Sequence, residues 1–454
     1  GPYLDVTDSF ITGKSISELI SDAVLPKSFS KIRMHQTRPL YKHQEEAVLK
    51  AAKGENIVVS TGTGSGKTES FLIPIFRRLV AEDEAGTLTP GVRALLIYPM
   101  NALANDQVER MRDLLADYPS ITFGCYTGQT QNKYPQALAE YRALNNNQEP
   151  LTNELISRDQ MKVSPPNILI TNYAMLEYLM IRPEDSVFFD GKYSDNWSFI
   201  VLDEAHVYNG STGIEVSMLL SRLKAKLFNP KIQYILTSAT LGGEEDNADV
   251  ARFAQDLCRS TFYFENVIRA QRITLFTQHE TKSLPIAFYD QLADRINADF
   301  DDNSLIEFVH PYTEISVSGD IHEVLHEIVL HDDNYWKIKS FMDEPKTITA
   351  IADKIGWPQK SVENFVTVAS LCEYNGTKLF DARYHMFLRA TDSVFISLSP
   401  VKKLFLTRKE EHVENDGTKY KVFEIGTCDS CHVIYLLGSV DGNGILLQKT
   451  HFRN

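Results

Sequence analysis

Cysteine is scarce in this chain, at 5 in 454 residues, which excludes a disulfide framework as its source of stability. A reducing, cytoplasmic setting is therefore the default expectation. No apolar run approaches the ~20 residues that a membrane-spanning helix needs, so no membrane partner is expected. No signal peptide is visible, and the opening Gly1-Pro2 has the look of a cleaved-tag scar. Neither an internal repeat nor a low-complexity tract stands out. Positive charge is also short: 46 Lys and Arg stand against 60 Asp and Glu, for a net charge of −14. That balance argues against a whole-surface nucleic-acid binder. It leaves room for a local groove, because affinity comes from the few cations that meet phosphates. Lys31, Arg33, Arg38 and Lys42 form one such stretch, Arg222, Lys224 and Lys226 a second, and Lys402, Lys403, Arg408 and Lys409 a third. Each also reads as an ordinary solvated face.

What is present supports cores of real size. Hydrophobic residues make up 43% of the chain, and its length fits about two to four domains at ~100–200 residues each. The most telling stretch is Ser60-Thr61-Gly62-Thr63-Gly64-Ser65-Gly66-Lys67-Thr68, set between an apolar strand at 57–59 and a helical pattern at 69–80. Glycines let backbone N–H groups converge on phosphate oxygens, and the following helix adds the positive end of its dipole. Thr63, Gly64, Ser65 and Gly66 thus read as a phosphate cradle. Lys67 reaches the β- and γ-phosphates of ATP, and Thr68 offers its hydroxyl to Mg²⁺.

A second apolar run, 199–202, ends in Asp203-Glu204-Ala205-His206. Carboxylates at the C-terminal end of a buried strand sit where open α/β sheets bind ligands. Asp203 is expected to hold Mg²⁺ through water, and Glu204 to orient or deprotonate the attacking water. His206 either joins this set or is a hydrogen-bonded histidine capping the strand end. A third apolar run, 234–236, leads into Thr237-Ser238-Ala239-Thr240.

In this order the elements resemble those of a superfamily 2 DExH/DEAH helicase, and further pieces match between residues 38 and 241. Arg38-Pro39-Leu40-Tyr41-Lys42-His43-Gln44 is similar to the Q motif, which implies that the Gln44 amide reads adenine. Tyr98-Pro99-Met100-Asn101 and the residues after it resemble motif Ia. Thr127-Gly128 and Thr171-Asn172 resemble the remaining nucleic-acid-facing elements. The resemblance implies that Pro99, Asn101, Thr127, Gly128, Thr171 and Asn172 grip phosphates without reading bases. It also makes Ser238, Ala239 and Thr240 the element coupling hydrolysis to domain movement. The wording of these segments is similar to large bacterial helicases related to the Lhr and Hrq groups, several of which serve phage-defence systems such as Druantia and DISARM.

The expected fold is α/β: a RecA-like parallel sheet wrapped by helices, then a winged-helix-like domain and a small β-rich domain. Residues 1–35 form a lead and 36–265 the ATP-binding lobe, with a partly helical surface insertion at about 129–162. Residues 266–340 make an accessory segment. In 341–392, Ile348, Ile351 and Ile355 share one helix face, Gly356 makes a turn, and a second helix follows. A DNA-reading version would aim Gln359, Lys360 and Asn364 at a groove; the alternative is a protein scaffold. In 393–454, Cys428 and Cys431 resemble one half of the Cys₄ zinc knuckle of the related helicases. A structural zinc wants four ligands, so bound zinc is not expected.

The resemblance also implies a second RecA-like lobe that supplies arginine fingers. No arginine-rich element of that kind occurs in residues 242–454, so this chain is expected to end before that lobe, which would lie in the same full-length chain. DNA is the expected partner, with RNA open because the motor motifs read backbone, and a defence-system subunit is a further candidate. A scaffold acting through the winged helix is the alternative of another class.

Overall fold

A computed structural model describes residues 3–447 apart from 63, 190, 228–230, 240–242, 274–281, 299, 314–319, 375–376, 386–393, 400, 415–416, 428–433 and 441–445. Two compact units divide the chain: residues 6–341 with 355–382, and residues 1–5 with 342–354 and 383–454.

The larger unit is built on an eight-stranded sheet. In chain order its strands are β1 (Ile57–Ser60), β2 (Ala94–Tyr98), β3 (Phe123–Cys125), β4 (Glu154–Leu155), β5 (Ile168–Asn172), β6 (Phe199–Leu202), β7 (Gln233–Ser238) and β8 (Val267–Arg269). They lie side by side as β8-β1-β7-β6-β2-β5-β3-β4, and every pairing is parallel. Apolar, mostly branched runs form these strands because helices cover both faces of such a sheet. The period of two is visible in the packing. Ile57, Val59, Ala94, Leu96, Ile168 and Ile170 join one core, with Phe71, Phe76 and Met111. Val58, Leu95, Ile97, Leu169, Ile200 and Leu202 join the other, with Trp197, Tyr208 and Leu220.

Two expectations change here. The lead is part of the lobe: Ile16, Leu19, Leu25, Phe29 and Ile32 pack into the first core. Its short helix, Ile16–Ser21, opens with a Ser15–Glu18 capping box. The segment at 129–162 is not only a surface excursion. It carries helices Tyr134–Leu144 and Arg158–Val163, and between them β4 extends the sheet beside β3. Buried Asn153 fastens that edge, donating from Nδ2 to the carbonyls of Ile121 (2.9 Å), Tyr118 (3.2 Å) and Leu115 (3.3 Å). Arg112 pairs with buried Glu154 at 2.9 Å.

Beyond the sheet the same unit is helical: Ile286–Asn297, Asp302–Val309, Ile321–Leu330, Asp333–Phe341 and Gln359–Ala369. Helix Gln359–Ala369 packs on Ile286–Asn297, and this decides the fate of Asn364. Its Nδ2 donates to Asp290 Oδ1 at 2.8 Å and the residue is buried, so it does not face a groove as the DNA-reading version required. Ser361 donates to the other Asp290 oxygen at 3.0 Å. Lys360 does lie exposed, near Glu363 at 3.5 Å.

The smaller unit holds helix Ile348–Ile355 up to residue 354 and a set of antiparallel strands. Lys419–Thr427 is their centre, pairing with Val394–Ser397, Glu411–Val413 and Ile434–Leu437. Cys428 and Cys431 lie outside the described residues. Among those described, no helix is long and apolar enough to cross a membrane.

Candidate nucleotide site and nucleic-acid edge

A parallel sheet brings all its strand C-termini to one edge, and Lys67, Asp203, Glu204, Asn172 and Ser238 lie at or just beyond those ends. At the end of β1 the chain turns through the glycine-rich loop into helix Lys67–Glu84. Gly66, the residue before that helix, has φ +69°, a left-handed conformation that disfavours any side chain. A Cβ there would also stand 2.3 Å from Gln44 Nε2 and 3.0 Å from Glu69 Oε2. The loop is braced from three sides. Thr61 and Ser65 share a hydroxyl hydrogen bond of 2.5 Å, and the Thr61 N–H donates to the Ser238 carbonyl at 3.0 Å. His43 Nε2 lies 2.8 Å from the Ser65 carbonyl, and burial lowers its pKa, so the ring donates there as a neutral imidazole. Thr63 is outside the described residues.

At the end of β6 the Asp203 N–H donates to the Ile97 carbonyl at 3.1 Å, which fixes the carboxylate beside β2. Burial pushes the Asp203 carboxyl up, and a hydrogen bond donated by the Thr237 hydroxyl opposes the shift. Glu204 adopts φ 48°, ψ 48°, left-handed for a residue with a side chain. Strain of this kind concentrates at functional sites. Lys67 Nζ donates to Glu204 Oε1 at 3.1 Å, and His206 Nδ1 stands 3.4 Å from Glu204 Oε2. The same His206 nitrogen lies 3.0 Å from Ser238 Oγ, so the ring joins the ends of β6 and β7. Thr240 lies outside the described residues, while Ala239 follows β7 directly.

Thr68 and Asp203 offer a hydroxyl and a carboxylate, the hard oxygen donors that Mg²⁺ takes alongside phosphate oxygens and water. No group of three or more His, Cys, Asp or Glu side chains among the described residues forms a protein-only metal cage. The residues therefore fit a cation held jointly with a nucleotide.

Beside the loop is a cavity of about 460 Å³, lined among others by Arg38, Tyr41, Gln44, Gly66, Glu69 and Arg110. Gln44 Oε1 accepts the Tyr41 N–H at 2.8 Å and Nε2 donates to the Gly66 carbonyl at 2.9 Å. Half of the amide's hydrogen-bonding capacity is thus committed within the protein.

Along the same edge, Asn172 Nδ2 donates to Asn101 Oδ1 at 2.7 Å, and Asn172 Oδ1 caps helix Tyr173–Ile181 through the Met175 N–H. Pro99 and Asn101 follow β2, and Gly128 is exposed. The hydroxyls of two further residues are engaged within the protein. Thr171 is fully buried, its hydroxyl donating to the Tyr126 carbonyl at 2.7 Å. Thr127 is buried too, and its hydroxyl accepts the Gln129 N–H at 3.3 Å. Strand ends packed this tightly turn hydroxyls onto backbone partners rather than outward.

Sequence reading missed several residues that shape this edge. Arg158, from the inserted segment, donates to the Thr127 carbonyl at 2.9 Å and lies over the Tyr126 ring. Glu69 and Arg110 pair beside the cavity. Thr237 carried the one available signal: a hydroxyl directly after an apolar run, in a fully buried strand, needs a partner.

Comparison with known proteins gives relatives for this geometry. The family described as DEAD/DEAH box helicase matches residues 41–248. The chain is 35% identical to the Druantia protein DruE of Escherichia coli, over 56% of this chain and 19% of that protein. It is 28% identical to the ATP-dependent helicase hrq1 of Schizosaccharomyces pombe, over 50% of this chain and 18% of that one. The chain thus spans about a fifth of the length of these relatives. Among solved structures, the DUF1998 helicase MrfA bound to DNA is similar over 66% of this chain and 37% of its own, at 22% identity and a TM-score of 0.41.

Proposed function

Because the chain carries a DEAD/DEAH box helicase domain of the Lhr- and Hrq-related kind, we propose that it is the first motor lobe, with accessory domains, of an ATP-dependent DNA helicase or translocase. Antiphage defence or DNA processing is the proposed setting, in keeping with the Druantia relative. One observation carries the reading: Lys67, which opens the helix after β1, and Glu204, which follows β6, meet at 3.1 Å beside the phosphate loop.

In this reading the loop's backbone N–H groups and Lys67 hold the phosphates of ATP. Thr68 and Asp203 would hold Mg²⁺, which neutralises phosphate charge when bound. Released from Lys67, Glu204 orients the attacking water or takes its proton. His206 carries the state of that carboxylate to Ser238 and so to the coupling element. Pro99, Asn101, Gly128 and Asn172 present the edge to a nucleic-acid backbone, while Thr127 and Thr171 hold that edge in place. Helix Gln359–Ala369 contributes through Lys360 if it meets DNA, since Asn364 is committed to Asp290.

The test is stimulation of the full-length protein's ATPase by DNA and by RNA at matched salt. DNA-specific stimulation supports the proposal. RNA-specific stimulation replaces DNA by RNA as the partner, and no ATPase at all overturns the motor reading.

A further inference from the structure

The inserted segment carries an arginine that the motor reading leaves without a role. Arg158 opens helix Arg158–Val163, and its Nη2 donates to the Thr127 carbonyl at 2.9 Å. That carbonyl belongs to the same peptide unit as the Gly128 N–H. The two groups of a trans peptide point in opposite directions, so whatever fixes the carbonyl also aims the N–H. Gly128 is exposed, and a Cβ built on it would meet nothing within 4 Å. Its N–H donates to no partner among the described residues. An open donor thus faces outward from a peptide whose other end is held by a cation.

The arginine is itself fixed to the loop it serves. Its backbone N–H donates to the Gln131 carbonyl at 3.0 Å, and that of Asp159 donates to the Asn132 carbonyl at 3.1 Å. The guanidinium lies over the Tyr126 ring, 5.1 Å from its centroid. The Tyr126 hydroxyl donates to Asp185 Oδ1 at 2.7 Å, and Lys162, four residues further along the inserted helix, stands 2.9 Å from that same oxygen. Arg158, Tyr126, Asp185 and Lys162 therefore close a ring between the inserted helix and the end of β3. The Nε of Arg158 is buried, so that side of the guanidinium is out of reach of a ligand. A charged donor on a carbonyl polarises the peptide and strengthens the N–H at its far end.

We propose that Arg158 is a positioning residue for nucleic-acid binding: through the Thr127 carbonyl it aims the Gly128 N–H at a backbone phosphate and makes it a stronger donor. The phosphate is met by the peptide and not by the arginine. This rests on the nucleic-acid reading of the edge above and gives the inserted segment its part in it.

The experiment titrates single-stranded DNA, or RNA of the same length if only RNA stimulates the wild type, into the full-length protein as wild type, Arg158→Ala and Arg158→Lys. ATPase rate is followed at each concentration, and affinity is read by fluorescence anisotropy across a range of salt. In Arg158→Ala the half-saturating concentration should rise about tenfold, the scale of one hydrogen bond to a charged group. The rate at saturation should stay within about twofold of the wild type, as expected when binding alone is lost. Arg158→Lys, which keeps a charged donor near the carbonyl, should regain most of the affinity. The salt slope should be the same in all three, because the phosphate contact is a backbone one. A slope lower by about one unit in Arg158→Ala would make the arginine itself the phosphate ligand and overturn the positioning role. A saturated rate that falls together with affinity, and that lysine does not recover, would mark a structural prop and overturn it as well. Unchanged half-saturation in Arg158→Ala overturns the assignment alone. A wild type that neither DNA nor RNA binds or stimulates overturns the nucleic-acid reading and this assignment with it.

Discussion

The Nζ of Lys67 lies 3.1 Å from Oε1 of Glu204, across a sequence separation of 137 residues. In the proposed motor reading these are the two groups most needed for phosphoryl transfer, and here they pair with each other. On that reading a nucleotide entering the loop would draw Lys67 onto phosphate and free Glu204 for water. The two substitutions should therefore fail differently. In the full-length protein, Lys67→Ala should remove productive ATP binding. Glu204→Gln should bind ATP and lose turnover by about 10²–10⁴-fold, the usual worth of a positioned base. Binding by isothermal titration and single-turnover hydrolysis separate the two, and near-normal turnover in Glu204→Gln would show that another group activates the water.

Asp203 makes a prediction about stability. Burial raises its carboxyl above the usual value, so the folded state disfavours the charge. The sign follows from proton uptake: between the unfolded and the raised folded value the native state binds more protons, and stability falls as pH rises through that window. Above it the cost is fully present. Without nucleotide or Mg²⁺, Asp203→Asn should accordingly raise Tm at neutral pH by about 1–3 °C, and the gain should shrink as pH falls towards the ordinary Asp range. Scanning fluorimetry across pH checks this; a lower Tm at neutral pH would contradict it.

The hydroxyl of Thr237 donates to Asp203 from inside a fully buried strand. Thr237→Val keeps the shape and removes the donor, leaving the carboxylate short of one partner at about 1–3 kcal/mol. The Asp203 carboxyl should rise further, and the acidic limb of the ATPase pH profile should move to higher pH. Thr237→Ser should restore it. An unmoved profile in Thr237→Val would make the contact incidental.

Asn153 serves three carbonyls at the edge where β4 joins β3. Asn153→Ala should cost about 2–3 kcal/mol, because buried acceptors are left without partners. Hydrogen exchange should quicken at Phe123–Cys125 more than at the distant β1. Unchanged exchange there would show that the edge is held by Arg112 and Glu154 alone.

Helix Gln359–Ala369 separates two roles cleanly. Lys360→Glu, on the exposed side, should reduce the salt slope of DNA binding by about one unit if this helix meets phosphates. Asn364→Ala should instead lower stability by about 1–2 kcal/mol through loss of the Asp290 contact, with the slope unchanged. Were Lys360→Glu to leave the slope intact, the helix would serve as a scaffold.

The motor elements were legible because each is local. A glycine-rich loop between strand and helix, or a carboxylate pair ending an apolar strand, is a short pattern whose chemistry does not depend on what lies across the sheet. Sequence alone thus determined the parallel sheet and the places of the glycine-rich loop, Lys67, Asp203, Glu204 and the hydroxyl-bearing end of β7 at its strand ends. The third dimension decided what each side chain had left to offer. Thr127 and Thr171 carry the right groups for phosphate, yet packing turns both onto the backbone. Asn364 falls on an expected reading helix, but Asp290 claims it from a helix more than 60 residues earlier. The segment after residue 129 is polar enough to read as an excursion, although its Glu154 and Asn153 are buried and complete the sheet. A hydrogen-bonding group is satisfied by whichever partner the folded chain brings near, and that partner is set by packing between distant segments, which no local pattern encodes.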